Sequence, residues 1–143
     1  MLKANEADIK EILEGTPQVI HEGTLGHASP SSEKVNTLVL PLLQKGGYYL
    51  VEKAGDEVIG WVFLGPRTDS FTDERIGFIY ELYVKEEHRG QGLAKQLLDE
   101  AIRQLQEQGN KEIRLSVFSG NEAVRLYEQL GFRPHTMTMS LKQ

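Results

Sequence analysis

The spacing of apolar residues changes period several times along the chain, and each change predicts an element. Ala7, Ile9, Ile12 and Leu13 predict a first helix over Glu6–Leu13, stopped by Gly15-Thr16-Pro17. Gln18–Ser32 has no sustained period and gathers Gly23, Gly26, Ser29, Pro30, Ser31 and Ser32, which reads as a loop holding a helical turn. A second helix is predicted from Glu33 to about Lys45, capped by Ser31 or Ser32 and ended by Gly46-Gly47. The period then shortens. Tyr48–Lys53 and Val58–Leu64 read as a hairpin across Gly55-Asp56, Gly65–Ser70 as a loop, and Ile76–Val84 as a third strand. Leu93, Ala94, Leu97, Leu98, Ala101, Ile102 and Leu105 then make one apolar face at helical period, with Gly109-Asn110 beyond its end. Ile113–Phe118 alternates as a strand. Ser119 and Glu122 have capping-box spacing for a helix through Leu130, with Gly131 as its stop, and Phe132–Leu141 predicts a closing strand. The order predicts an α/β fold with a central mixed, mostly antiparallel sheet flanked by helices, in a single domain over residues 1–143.

Composition narrows the function classes. Lys and Arg number 16 against 21 Asp and Glu, a net charge of −5, which argues against nucleic acid or an anionic membrane as the main partner. Cysteine is absent, which removes disulfides, thiolate metal sites and cysteine nucleophiles and fits a reducing compartment. No apolar secretory core shows in Met1–Asp8, and the longest apolar stretch, Leu38–Leu43, is interrupted by Pro41. The expectation is a soluble cytoplasmic protein. His21, His27, His88 and His135 are dispersed, so no metal site is expected.

The candidate chemistry lies between Tyr80 and Lys95. A strand runs into Gly90-Gln91-Gly92 and then into the predicted amphipathic helix. Helix N-termini favour acidic residues, yet this one carries Arg89 and Lys95 with no acid between His88 and Gln96. Such a start suits an incoming phosphate, with backbone N–H groups and cations converging on it. The plainer alternative is a strand-to-helix turn with solvated basic residues. G-x-x-x-x-G-K-[ST] does not occur, and Lys95 occupies the third glycine position of a dinucleotide fingerprint, so neither of those phosphate sites is indicated.

Arg89, Gly92 and Ala94 fit the pattern [QR]-x-x-G-x-[GA], and Asn121, Val124, Tyr127, Gly131 and Phe132 fit the looser N-x-x-[AV]-x-x-[LY]-Y-x-x-x-G-F. Together, in this order, the two stretches resemble the motifs of the GNAT superfamily of acyl-CoA-dependent N-acetyltransferases. The resemblance implies a GNAT-like fold and acetyl-CoA as co-substrate. It implies that amides around Gly90, Gln91, Gly92, Leu93 and Ala94 hold the pyrophosphate with Arg89 nearby, and that the strand at Leu82–Val84 pairs with the pantetheine arm. Asn121 is expected to bond or border that arm, and Tyr127 to protonate the leaving thiolate, a role its high phenol pKa suits. Outside that motif Tyr127 would read as a core tyrosine, and Asn121 as a first-turn residue. Glu81 is the candidate base or amine anchor, on the strand face opposite Tyr80 and Leu82, with a solvated glutamate as its alternative.

The implied reaction is direct acetyl transfer to a primary amine. A longer acyl group, or an acyl-CoA-binding regulatory domain without turnover, remains an alternative. Acceptor pockets in the family draw on segments corresponding to Gly15–Ser32 and Gly65–Arg75, which carry the least pattern here and leave the amine, small-molecule or protein, open. Homodimers are common in the family, which leaves a homodimer open too.

Overall fold

In the computed structural model, which describes residues 1–143, the chain opens with a short strand β1 (Leu2–Lys3) and a helix α1 (Glu6–Gly23). The start of α1 is reciprocally capped: the Asp8 N–H donates to the Asn5 side chain at 2.8 Å and the Asn5 N–H to the Asp8 carboxylate at 3.0 Å. The predicted stop at Gly15-Thr16-Pro17 does not occur, and the helix runs ten residues past Leu13. A proline inside a helix costs about 3 kcal/mol. Ile12, Thr16 and Val19 nevertheless keep one buried face. Burying Ile12 and Val19 recovers about 1.5–3 kcal/mol each, which offsets the break. The Thr16 hydroxyl adds a 2.7 Å bond to the Ile12 carbonyl. Helix α2 (Ser32–Gln44) begins as predicted, with Ser31 accepting from the Lys34 N–H at 3.1 Å.

The sheet contains β2 (Tyr48–Ala54), β3 (Glu57–Thr68), β4 (Arg75–Val84) and β5 (Ile113–Leu115) in the order β1-β2-β3-β4-β5. All pairs are antiparallel except β4–β5. Strand β3 continues four residues beyond Leu64, through Pro66. Pairing with β2 ends at Leu64, so the missing Pro66 N–H breaks no ladder bond on that side. One sheet face packs Tyr49, Val51, Val58, Trp61 and Phe63 against α1 and α2. The other packs Leu50, Val62, Leu64, Ile79 and Val84 against Leu97, Leu98, Ala101 and Leu105 of α3 (Leu93–Glu107), the helix predicted from the sequence.

Strand β4 is not regular. Leu64 faces Ile79 and Phe63 faces Glu81, so Tyr80 is the extra residue of a β-bulge. Strict alternation, which would set Glu81 opposite Tyr80, therefore fails: both turn to the α1–α2 side, while Leu82 packs toward α3.

Beyond α3 the structure departs further from the predicted pattern. Strand β5 stops at Leu115 rather than Phe118. The Ser119–Glu122 capping box does not form; α4 (Ala123–Gln129) is started by Asn121, whose Oδ1 accepts from the Ala123 N–H at 2.9 Å. Gly131 ends it with φ 100°, and bonds from the Gly131 N–H to the Glu128 carbonyl and from the Phe132 N–H to the Tyr127 carbonyl complete the stop. The predicted strand Phe132–Leu141 is absent. A strand exists only through its ladder, and from Arg133 onward no backbone hydrogen bond is made within the chain. No helix is long and apolar enough to cross a membrane.

Candidate active site

The site is built where β4 and β5 part. They pair only over Gly77–Ile79 and Ile113–Leu115, so from Tyr80 to Val84 one edge of β4 has no strand beside it. Leu82 and Val84 lie in that unpaired stretch. After Val84 a 3-10 turn at Glu86–His88 leads into Gly90 and Gly92, both in the left-handed region at φ 79° and 78°. The first helical bond of α3 runs from the Gln96 N–H to the Gly92 carbonyl at 3.1 Å. The N–H groups of Leu93, Ala94 and Lys95 therefore have no intrahelical acceptor, and no acid stands in the first turn. A Cβ at Gly90 or Gly92 would meet no atom within 4 Å, so open space lies in front of the turn.

This junction lines a cleft of about 230 Å³ with Val84, His88, Arg89, Gly90, Gly92, Leu93, Ala94, Lys95 and Leu126. Arg89 is held in place, its Nε donating to the Val84 carbonyl at 2.8 Å and its Nη2 to Glu22 at 3.2 Å. Lys95 pairs with Asp99 at 2.7 Å. Free N–H groups, a positive helix end and two cations form a donor set that fits a pyrophosphate, and the open β4 edge fits an amide-bearing arm.

Tyr127 stands on α4, next to Leu126 of the cleft wall. Its ring meets Phe132 edge-on at 6.1 Å, and its hydroxyl bonds to nothing in the chain. Partial burial raises its pKa above the ordinary phenol value, so it is protonated at neutral pH. Asn121 is more committed than expected. Its Nδ2 donates to the Gly23 carbonyl at 3.0 Å while Oδ1 holds the Ala123 N–H, which ties the start of α4 to the end of α1. Contact with a pantetheine arm is left to the second Nδ2 hydrogen or the remaining Oδ1 lone pair.

Glu81 is placed by the bulge. Trp61 Nε1 donates to its Oε1 at 2.5 Å, leaving Oε2 without a protein donor. Burial pushes the carboxyl up to about 7 against the opposing pull of the indole N–H. Near neutral pH both protonation states are thus populated, the condition that suits a general base. The buried Tyr49 hydroxyl has no partner, and the charge of Glu81 helps to raise its pKa.

A second cleft of about 600 Å³ opens on the Trp61–Tyr83 side. Gly15, Gln18 and Val19 of α1 line it with Glu57, Trp61, Tyr83, Lys85, Glu86, Glu87 and His88. Tyr83 and Val84 point to opposite sheet faces, so the two clefts flank the end of β4, and His88 borders both. Asp69, in the predicted loop Gly65–Ser70, is clamped by Arg114 at 2.6 Å, which holds its carboxyl well below the usual range. No group of three or more His, Asp or Glu is placed to hold a metal ion.

The sequence pattern shows neither the bond of Trp61 to Glu81 nor that of Glu22 to Arg89. Both pairs depend on strand register and helix length, which no local pattern encodes.

The acetyltransferase (GNAT) family model matches residues 13–132. Among relatives, the uncharacterized N-acetyltransferase YycN of Bacillus subtilis is 36% identical over 90 residues, 60% of this chain and 54% of its own. A mycothiol acetyltransferase of Streptomyces coelicolor is 35% identical over 96 residues, 66% of this chain and 29% of its own. The chain thus spans about half or less of the length of these curated relatives. A structure described as an acetyl transferase from Pyrococcus furiosus superposes with a TM-score of 0.80 at 26% identity, over 96% of this chain and 95% of that one. The aminoglycoside 6'-N-acetyltransferase of Acinetobacter haemolyticus shares the fold, with a TM-score of 0.74 at 20% identity over 99% and 95%. With the family model covering residues 13–132, most of the chain, this protein belongs to the GNAT family of acetyltransferases.

Proposed function

We propose that residues 1–143 form an N-acetyltransferase domain that moves the acetyl group of acetyl-CoA directly to a primary amine. The observation that carries this reading is the open β4 edge leading into the acid-free, glycine-turned start of α3. Acetyl-CoA supplies the acyl group as an activated thioester. The N–H groups of Leu93, Ala94 and Lys95 and the Arg89 guanidinium bind its phosphates, and the Leu82–Val84 backbone binds its amide-bearing arm. Tyr127 donates a proton to the departing sulfur. An ammonium cannot attack a carbonyl carbon, so the acceptor must first lose a proton; the raised pKa of Glu81 supports it as the group that takes it, directly or through water, with anchoring of a cationic amine as its other role. A chain without cysteine suits direct attack over a thioester intermediate. Release of CoA with a panel of amines separates this reading from an acyl-CoA-binding domain without turnover.

Binding itself is tested by melting. Acetyl-CoA at a hundredfold excess over Kd should stabilise the fold by about 2.7 kcal/mol. Gly92→Val should abolish that gain, because φ 78° excludes β-branched residues and the side chain would stand in the open space before the helix. Arg89→Ala should weaken binding and reduce its salt dependence. An unchanged melting temperature at saturating acetyl-CoA removes the donor assignment.

A further inference from the structure

We infer that Gly15 is the specificity-determining residue of the acceptor cleft, its missing side chain leaving room beside Trp61 for a cationic primary amine that carries no carboxylate. The inference rests on the acetyl-transfer function proposed above and names its class of acceptor. Gly15 lies in the interior of α1, where glycine is less stable than alanine. Nothing in the fold requires it. Its φ is not positive, and beyond the helix backbone a Cβ there would meet only Trp61 Cη2, at 3.9 Å, an ordinary contact. The place of the absent side chain belongs instead to the larger cleft, which Gly15 walls together with Gln18 and Val19, one turn further along α1.

Trp61 stands on the facing wall. Its ring lies 5.0 Å from that of Tyr83, and its N–H holds the Glu81 carboxyl at 2.5 Å. An amine lodged between Gly15 and this indole therefore has Glu81 at the indole's N–H edge.

Charge selects among amines. Glu57, Glu86 and Glu87 line the cleft, against Lys85 and His88. Lys85 is already engaged, 3.1 Å from Glu57 and 3.6 Å from Glu11. Glu86 and Glu87 have no ion-pair partner. The cleft thus draws in an ammonium and repels a carboxylate, and an amino acid meets no unengaged lysine or arginine in its lining.

Trp61 is the only tryptophan, so its fluorescence reports occupancy of the cleft without turnover. Titrated with butylamine, putrescine and γ-aminobutyrate, the protein should respond to the first two, with γ-aminobutyrate weaker than butylamine by about tenfold or more. Gly15→Ala should raise the melting temperature by about 2–4 °C and keep the response. Gly15→Leu should fill the space, so that amine affinity falls by about tenfold or more and KM rises to match. Acetyl-CoA should still raise the melting temperature of Gly15→Leu, which shows that the variant is folded. A Gly15→Ala protein that melts below the native one makes this glycine structural and overturns the inference. So does undiminished amine binding in Gly15→Leu, γ-aminobutyrate bound as tightly as butylamine, or no response to any of the three. Amine binding without release of CoA would remove the transfer function and leave the selectivity of the cleft standing, whereas CoA release that Gly15→Leu does not slow would do the reverse.

Discussion

Tyr127→Phe should lower kcat by about 10²–10⁴ while acetyl-CoA affinity stays within a few-fold of the native value. That loss corresponds to about 2.7–5.4 kcal/mol of transition-state stabilisation. The variant is informative because the hydroxyl holds no part of the fold in place. It bonds to nothing in the chain, and the ring packing on Phe132 survives in phenylalanine. The melting temperature should therefore be unchanged. The phenol is protonated throughout the neutral range, so its loss should depress the rate there without introducing a new limb in the pH profile. Equal kcat for Tyr127→Phe would make this residue part of the packing and assign the proton to water.

How much of the fold and site was legible in the sequence depends on where the information for each element resides. Helix α3 could be read whole, because its buried face is written in its own spacing and its stop lies at Gly109. The glycine turn before it was legible for the same reason: an acid-free first turn and two glycines are local facts. Helix α1 was not, because its local breakers are outweighed by burial against a sheet that forms from distant residues. The direction of Glu81 was hidden by the bulge at Tyr80, which a period-two count cannot foresee. Likewise Ser119 and Asn121 compete for the start of α4, and the choice follows from the bond between Asn121 and the end of α1, 98 residues away in sequence. The pattern of Phe132–Leu141 does read as a strand, but a strand needs a ladder, and no backbone hydrogen bond forms from Arg133 onward.

Glu81→Gln should separate the cost of the site from its use. An ordinary glutamate in the unfolded chain releases its proton near 4.5, whereas burial holds Glu81 protonated to about 7. Between those values the folded state binds the extra proton, so stability falls as pH rises through this window and is lowest above it. The loss amounts to at most about 3 kcal/mol, less where water reaches the carboxylate. Glutamine keeps an oxygen for the Trp61 N–H and carries no charge, so the variant should match the native melting temperature near pH 4 and exceed it at pH 8. Its kinetics should move the other way. If Glu81 takes the proton, kcat should fall and the limb near pH 7 should vanish, leaving only the limb set by the amine itself. If Glu81 instead anchors a cationic acceptor, KM for that amine should rise with kcat unchanged. Unaltered kinetics and an unaltered pH profile would take Glu81 out of the site, and a variant less stable than the native protein at pH 8 would show that the carboxylate is not held away from water.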